Sequence, residues 1–263
     1  MRRKSLLVVG AVALLLWSSL SFGQSQPKVR PLDEREILRL ERELQERVKN
    51  ITYLAPVLAL NQSTYSTKDT YTREYVMPIS SNSGFVVSYR GRTFLLTAGH
   101  NVLEATYSAI FLYRREWYTI QNPRQDWKIS ISTTMDIGAS DITELIPSSE
   151  GVGKLKLDLK DLKELMPLSV VCNPYKFLVP FTGIYVGLKP VPDERIKVYR
   201  LKIEHMGLNI SGGCSGAPVV DKDLDIVALA VGKNAYGTDS YHVPSTTVAT
   251  FLDEMFFKNK PVN

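Results

Sequence analysis

Residues 93–100 read Thr-Phe-Leu-Leu-Thr-Ala-Gly-His, an apolar run that ends in a histidine and is followed by Asn101. Apolar and β-branched residues favour a strand, and the Asn after the histidine is a typical turn residue. We therefore expect a strand over residues 93–97 that delivers the imidazole of His100 at its end. Histidine is the usual general base at neutral pH, although a histidine in this position is also common as a purely structural residue.

Residues 212–218, Gly-Gly-Cys-Ser-Gly-Ala-Pro, are the second informative stretch. Glycines on both sides let the backbone turn tightly and leave the amide N–H groups near Ser215 unobstructed. Such amides stabilise an oxyanion, which makes Ser215 a candidate nucleophile. An ordinary glycine-rich turn between two strands is the alternative interpretation.

A carboxylate that orients the histidine would complete this chemistry. Asp141 enters a stretch of alternating character, residues 140–146, and is our candidate for that role. Asp126 and Asp136 lie nearby in the sequence and compete for it, and the local pattern leaves these alternatives open.

Most of the remaining chain has the pattern of short strands that are rich in Val, Ile, Tyr and Thr and separated by Gly, Pro and Asn. The predicted strands are residues 84–89, 93–97, 108–113, 128–132, 168–172, 184–188, 196–203 and 226–231. Helices are expected only over residues 248–257 and 157–165 in this body. Many short strands with few helices predict an all-β sandwich or barrel.

The N-terminus has the pattern of an export signal. Residues 2–4 are basic, residues 5–22 carry no charge, and Ser21 and Gly23 are the small residues of a cleavage site. We expect residues 1–23 to be a signal peptide and the protein to be periplasmic or secreted, with no membrane contact after cleavage. An uncleaved membrane anchor is the alternative, since the apolar run is close to the shortest that spans a bilayer.

Residues 24–52 are predicted to be a charged helical segment ahead of a domain over residues 53–263. Asp33 is a suitable N-cap, with Glu36 three residues later. One apolar stripe follows at helical spacing, formed by Ile37, Leu40, Leu44 and Val48. The stripe either packs on the body or, through residues 33–49, makes a homo-oligomer contact.

Composition excludes several classes of protein. Hydrophobic residues make up 44% and charged residues 22%, which is ordinary for a globular chain and unlike a disordered or disulfide-stapled one. Three of the 32 basic residues lie at positions 2–4, which leaves 29 against 27 acidic residues and predicts no nucleic-acid partner. Three scattered histidines and two distant cysteines predict no metal site, and we expect no cofactor.

The segments around His100, Asp141 and Ser215, taken in this order, resemble the trypsin-like serine peptidases. The resemblance is closer to the HtrA branch and covers about residues 55–257, without a PDZ domain after them. It is carried by Ser-Gly-Phe-Val-Val (83–87), Thr-Ala-Gly-His (97–100), Ser-Val-Val-Cys-Asn-Pro (169–174), Thr-Gly-Ile-Tyr-Val-Gly-Leu (182–188), Gly-Gly-Cys-Ser-Gly-Ala-Pro (212–218), residues 226–232, and residues 241–252. It implies an all-β fold of two perpendicular six-stranded β-barrels, with an N-terminal and a C-terminal helix.

The resemblance also implies roles for single residues. His100 would be the general base, Asp141 its orienting carboxylate and Ser215 the nucleophile. The amides of Gly213 and Ser215 would form the oxyanion hole. Substrate contacts would come from the base of the specificity pocket, the strand that pairs with peptide, and the closing strand, namely Asn209, Ala230, Val231, Gly232 and His242.

Cys214 departs from the family pattern, since HtrA relatives have Asn and trypsins have Asp before the nucleophile. Some viral relatives use a cysteine nucleophile, and Gly-Gly-Cys-Ser-Gly partly fits their motif. Pro218 lies three residues after Ser215, which favours the serine register. Cys172 and Cys214 either form a disulfide or are two small buried residues.

These observations predict an exported serine endopeptidase that acts on unfolded or flexible polypeptides through an acyl-enzyme. A catalytically silent module that binds peptides or proteins with the same fold is the alternative. A structural assembly protein built through the helix at residues 33–49 is a third interpretation.

Overall fold

The computed structural model describes residues 34–66, 72–121, 123–132, 135–147, 151–162, 166–172, 179–190, 199–205, 213–233 and 239–258. The predicted signal peptide, the predicted cap Asp33 and the predicted pocket residue Asn209 lie outside these ranges. Within them, most residues belong to β-strands and few to helices, so the all-β class is confirmed.

The first half of the body contains nine strands. They are β1 (Val57–Ser66), β2 (Thr72–Asn82), β3 (Phe85–Tyr89), β4 (Arg92–Thr97), β5 (Ser108–Tyr113), β6 (Glu116–Gln121), β7 (Trp127–Ile131), β8 (Asp136–Asp141) and β9 (Gly153–Lys154). They pair into two sheets, in the orders β2-β1-β5-β6 and β7-β8-β4-β3-β9. The single six-stranded barrel expected for this half is therefore not what the strand pairing shows.

In the described ranges no named strand of one sheet pairs with a named strand of the other, and β1 lies inside the first sheet. Only residues 57–60 of β1 pair with β5, whereas the whole strand pairs with β2. The two sheets still share one apolar core, to which β1 contributes Val57, β5 contributes Phe111, and β3 and β4 contribute Val86 and Leu95.

The second half contains six strands and the C-terminal helix. They are β10 (Pro167–Cys172), β11 (Val179–Pro190), β12 (Tyr199–His205), β13 (Pro218–Val220), β14 (Ile226–Lys233) and β15 (Asp239–Pro244). These strands pair in the order β10-β11-β12-β15-β14-β13 and form a closed barrel.

Alternating side chains of the second half pack into two different apolar clusters, as expected for strands buried on both faces. One cluster contains Cys172, Cys214, Ala217 and Ala230. The other joins the opposite faces of the same strands to α1, to the C-terminal helix and to β3 and β4 of the first half. The second half is therefore fixed against the first by a continuous core.

Helix α1 (Glu34–Val48) lies where the sequence predicts a helix. Leu44 and Val48 are buried in the core, while Ile37 and Leu40 at the start of the stripe remain half-buried. The packing of the stripe on the body is thus confirmed for its C-terminal part. The oligomer contact through residues 33–49 stays a prediction.

Three further helices are α2 (Gly99–Val102), α3 (Pro123–Asp126) and α4 (Ser245–Leu252), and α4 continues into a π-helical turn over Asp253–Phe257. The predicted C-terminal helix is thus present but begins earlier. The helix predicted for residues 157–165 is wrong over its described residues 157–162, because Asp158 accepts a hydrogen bond from the amide of Lys160 and forms a turn instead. No helix in the described ranges has the length and apolarity to cross a membrane.

Candidate active site

The side chain of His100 projects from the short helix that follows β4. This strand ends at Thr97, and α2 begins at Gly99. The imidazole is 44% exposed, so it is accessible to a ligand from solvent. An apolar strand thus delivers His100 to the surface, as the sequence predicts.

The carboxylate beside His100 belongs to Asp136. Its Oδ2 lies 2.6 Å from His100 Nδ1, and its Oδ1 accepts a hydrogen bond from the His100 backbone amide at 2.9 Å. Only 13% of the Asp136 side chain is exposed. One buried carboxylate therefore holds both the ring and the backbone of the histidine.

The assignment of Asp141 as the orienting carboxylate is therefore wrong. Strands β4 and β8 are antiparallel, with Phe94 opposite Asp141 and Thr97 opposite Gly138. Residues beyond Gly138 towards the start of β8 lie beside the end of β4, where His100 follows. Asp141 lies at the other end of β8. Its partner on β4 is Phe94, which precedes His100 by six residues.

Asp141 has partners of its own at that far end. It forms an ion pair with Arg92, and its Oδ1 accepts hydrogen bonds from the amide and the hydroxyl of Thr143 at 3.0 and 2.5 Å. These contacts are those of a turn at the end of a strand. One signal in the sequence points to Asp136 instead: the apolar run Ile-Gly-Ala follows it directly and marks the buried start of β8.

The contact with Asp136 also defines the tautomer of His100. A carboxylate accepts hydrogen bonds, so the ring nitrogen that faces it carries the proton. We therefore assign the proton to Nδ1, which leaves Nε2 as an acceptor. An acceptor at this position is what a general base requires.

Ser215 lies in a loop whose path depends on two glycines. Gly213 and Gly216 have φ values of 85° and 87°, a region that side chains disfavour. A Cβ on Gly216 would lie 2.2 Å from the Ser83 carbonyl oxygen and 2.3 Å from Thr97 Oγ1. Because Thr97 ends β4, the structure brings the Ser215 loop to the same strand end as His100.

The peptide groups around Ser215 suit an oxyanion hole. The carbonyl oxygen of Gly213 accepts a hydrogen bond from Ser83 Oγ at 2.8 Å, and that of Ser215 accepts one from Asn101 Nδ2 at 2.9 Å. Across the described part of the chain, neither the amide of Gly213 nor that of Ser215 donates to a backbone carbonyl. Among the described residues, both carbonyls are thus held and neither amide has a backbone acceptor.

Cys214 forms a disulfide with Cys172, the last residue of β10. Both residues are buried inside the apolar cluster of the barrel. A disulfide sulfur is neither a thiolate nor a nucleophile. The cysteine register considered from the sequence is therefore excluded in this structure, and Ser215 is the nucleophilic side chain that the loop offers.

The strand expected to pair with a peptide lies beside this loop. The carbonyl oxygen of Ala230 accepts a hydrogen bond from the Gly216 amide at 2.7 Å, which fixes β14 against the Ser215 loop. The β14–β15 pairing is irregular between Ala230 and Gly232, the position of Val231. Gly232 is exposed, and a Cβ there would meet no atom within 4 Å.

His242 lies directly opposite Ala230 on β15. Cross-strand partners point to the same face of a sheet, so its ring lies on the face of Ala230. The ring is fully buried, and Nε2 lies 2.6 Å from Ser240 Oγ. Of the predicted substrate-binding residues, Ala230 is hydrogen-bonded to the Ser215 loop and His242 lies opposite it, so their role in substrate binding stays a prediction.

No group of three or more His, Cys, Asp or Glu side chains in the described ranges is arranged to hold a metal ion. The site as described consists of an imidazole, a carboxylate, a hydroxyl and backbone amides.

No protein-family model and no curated protein matches the chain. Solved structures do match. The HtrA-type protease AlgW with a decapeptide aligns with a TM-score of 0.56 and 13% identity, over 77% of this chain and 64% of that one. The active form of the Rv3671c protease from M. tuberculosis aligns with a TM-score of 0.55 and 13% identity, over 89% and 91% of the two chains.

The inactive form of the Rv3671c protease aligns with a TM-score of 0.56 and 12% identity, over 87% of this chain and 98% of that one. At such identities the likeness shows the fold and nothing beyond it. The chain has the chymotrypsin-type fold of these proteases, which agrees with the resemblance found in the sequence.

Proposed function

We propose that the protein is a serine endopeptidase in which His100, Asp136 and Ser215 form the catalytic triad. The observation that carries this proposal is that the Asp136 carboxylate is hydrogen-bonded to both the ring and the backbone amide of His100, beside the loop of Ser215. The chymotrypsin-type fold supports the same conclusion.

In this mechanism His100 Nε2 takes the proton of the Ser215 hydroxyl while Oγ attacks the carbonyl carbon of a peptide bond. Asp136 holds the ring in the required tautomer and stabilises the imidazolium that forms. His100 then gives the proton to the leaving amine, and an acyl-enzyme remains. A water molecule, activated by the same imidazole, cleaves the ester to release a carboxylic acid and restore Ser215.

The amides of Gly213 and Ser215 donate hydrogen bonds to the oxyanion of each tetrahedral intermediate. Because the neighbouring carbonyls are already bonded, these amides need little reorganisation when the negative charge develops. Loss of one such donor costs on the order of 10²–10³ in kcat in serine proteases.

The substrate is a polypeptide in extended conformation. The backbone of Val231 and Gly232 on β14 receives it, where the pairing with β15 is irregular and Gly232 borders open space. Ala230 and His242 belong to the pocket for the side chain before the scissile bond, and the same role for Asn209, which lies outside the described residues, stays a prediction. One structural neighbour was solved with a decapeptide, which supports a peptide as ligand.

The cellular setting of this activity rests on the sequence. Residues 1–23 direct export to a periplasm or the outside of the cell, and the Cys172–Cys214 disulfide agrees with an oxidising compartment. No nucleic-acid partner is part of the proposal. Self-association through residues 33–49 remains open to a measurement of mass in solution.

The decisive experiment is labelling with a fluorophosphonate, followed by peptide mapping. We expect the wild type to be labelled at Ser215 because the probe needs an activated hydroxyl and a formed oxyanion hole. Folded Ser215→Ala protein should carry no label, and heat-denatured wild type should carry none either.

A folded wild type that stays unlabelled would overturn the endopeptidase proposal. Saturable binding of an unstructured peptide such as a casein fragment, equal in wild type and Ser215→Ala, would then establish the silent binding module. For a wild type that is labelled, cleavage of the same fragment by the wild type and not by Ser215→Ala would establish hydrolysis of peptide bonds.

A further inference from the structure

Three buried polar side chains connect the end of β4 to the Ser215 loop. Ser83, Thr97 and Asn101 are exposed by 1%, 0% and 3%, respectively. We call these three residues the polar clamp. Burial of polar groups at such a level is costly unless their hydrogen bonds are made, so their arrangement is specific to this place in the fold.

Asn101 makes the central contacts of the polar clamp. Its Nδ2 donates hydrogen bonds to the carbonyl oxygen of Ser215 and to Thr97 Oγ1, both at 2.9 Å. Thr97 Oγ1 in turn donates to the carbonyl oxygen of Ser83 at 2.8 Å. A continuous chain of hydrogen bonds therefore runs from Ser215 through Asn101 and Thr97 to Ser83.

Ser83 donates two hydrogen bonds to the Ser215 loop. Its amide donates to the Ser215 carbonyl oxygen at 3.2 Å, and its Oγ donates to the Gly213 carbonyl oxygen at 2.8 Å. The peptide planes 213–214 and 215–216 are thus both held. They flank the plane 214–215, which carries the amide of Ser215.

The loop also rests directly on the polar clamp. Gly216 approaches Ser83 and Thr97 so closely that a Cβ would overlap their oxygen atoms. Only a residue without a Cβ allows the loop to come this close to Ser83 and Thr97. The hydrogen bonds of Asn101 and Ser83 are therefore made among buried groups in a close-packed contact.

The position of Asn101 in the chain gives this contact a consequence for catalysis. Asn101 follows His100 in α2, and the two side chains have different targets. His100 contacts Asp136, and Asn101 contacts the carbonyl of Ser215. Of two consecutive residues in one helical turn, His100 is thus the proposed base and Asn101 holds the Ser215 loop.

We propose that Asn101 is a positioning residue, which sets the Ser215 amide and hydroxyl relative to His100 through its hydrogen bond to the Ser215 carbonyl. This inference rests on the proposed function. Asn101 touches neither the substrate nor the reacting atoms, so its effect passes entirely through the loop.

The test uses Asn101→Leu, which keeps the size of the side chain and removes the donor. We expect kcat on a peptide substrate to fall by about 10- to 100-fold, less than for direct loss of an oxyanion donor. KM should stay within about twofold, because the substrate contacts a different strand. The Ki of a peptidyl boronate, which forms a tetrahedral adduct on Ser215, should rise in parallel with the loss of kcat/KM.

Ser245→Ala is the matched control. Ser245 is fully buried, and its hydroxyl donates to the carbonyl oxygen of Lys156, so the variant also loses one internal hydrogen bond to a carbonyl. Because Asn101→Leu also loses the hydrogen bond to Thr97, we expect it to lower the urea midpoint at least as much as Ser245→Ala, and we expect only Asn101→Leu to lower kcat. Equal kcat values in the two variants would overturn the inference.

A second readout separates this inference from the proposed function. Amide hydrogen exchange of the peptide that contains residues 213–217 should accelerate in Asn101→Leu and not in Ser245→Ala. This measurement needs no turnover and decides the role of Asn101 even where the fluorophosphonate fails to label the wild type. Unchanged exchange in the loop would overturn the inference in either case.

Discussion

The two halves of the molecule hold their parts of the site in different ways. In the first half, His100 and Asp136 are placed by the register of β4 and β8, which many backbone hydrogen bonds determine. In the second half, Ser215 lies in a loop and depends on a disulfide, a few hydrogen bonds and two glycines.

This difference predicts which substitutions change activity without changing stability. A side chain on a sheet can be changed without moving the strand that carries it, because the ladder of backbone bonds remains. A loop held by a few contacts loses its geometry together with any one of them. Substitution of a catalytic side chain on β8 should therefore affect activity alone, and substitutions that loosen the Ser215 loop should affect both activity and stability.

The largest effect is expected for Asp136→Asn. The amide can offer its NH₂ group to His100 Nδ1 and favour the wrong tautomer, so kcat should fall by about 10⁴-fold, as for the same change in other triads. The midpoint of urea unfolding should stay close to that of the wild type. The rates of fluorophosphonate labelling and of peptide cleavage measure the first expectation.

Asp141→Asn is the control for this comparison, since it makes the same change at the other end of β8. An equal loss of activity in Asp141→Asn and Asp136→Asn would contradict this comparison. It would show that the β4–β8 register does not determine which aspartate orients His100.

The second largest effect is expected from replacing both Cys172 and Cys214 by Ala. Their disulfide closes a separation of 42 residues. The chain-entropy relation then gives about 4 kcal/mol of stability for the cross-link. Urea unfolding of the double variant should show this loss, and the labelling rate of Ser215 should fall with it.

Wild type in excess dithiothreitol provides the matched condition for the double variant. It should approach the stability of the variant, whereas the variant itself should not respond to the reductant. A wild type whose unfolding is the same with and without dithiothreitol would show that the cross-link contributes nothing to the second half.

A smaller effect is expected for Asp141→Asn on stability. The carboxylate pairs with Arg92, and the two side chains are 20% and 29% exposed, so partial screening limits the pair to about 1 kcal/mol. Asn keeps an oxygen for the amide of Thr143. Urea unfolding should show this loss with kcat unchanged, and a loss above about 3 kcal/mol would contradict it.

The smallest effect concerns a hydrogen bond between the halves. Tyr53 donates from its hydroxyl to the carbonyl oxygen of Leu224 at 3.0 Å. Burial, and then the charges of Asp225 and Asp221, raise the pKa of Tyr53 above its ordinary value. The pKa of Tyr53 is higher in the folded than in the unfolded chain. The contribution of the neutral Tyr53 side chain to the free energy of unfolding is therefore fully present below about pH 10 and is lost as pH rises further.

Tyr53→Phe should lose about 1 kcal/mol at neutral pH with the hydrogen bond. Above pH 10 its free energy of unfolding should fall less steeply with pH than that of the wild type. Urea unfolding at a series of pH values measures both slopes, and parallel slopes would show that Tyr53 does not titrate on unfolding.

Local sequence patterns were sufficient to locate the strand end of His100 and the glycine loop of Ser215, because the residues of each turn are contiguous. They were insufficient for the carboxylate. Both ends of β8 carry an aspartate, and only the non-local pairing of β8 with β4 decides which end meets His100. The choice of Asp141 was wrong for that reason.

Other errors have related causes. The β1–β2 hairpin was not predicted, because residues 61–66 are mostly polar and their strand exists only by pairing with β2. The polar clamp has no local signature either. Ser83, Thr97 and Asn101 are small polar residues that are distributed over 19 positions, and only the folded chain brings them to one carbonyl.

The Cys172–Cys214 disulfide links the state of the site to the history of the chain. Cytosolic thiols keep such cysteine pairs reduced, and oxidising compartments allow them to pair. For an exported chain, the residue next to Ser215 gains its covalent anchor only after translocation. A newly made copy that folds before export would then carry a Ser215 loop without its covalent anchor.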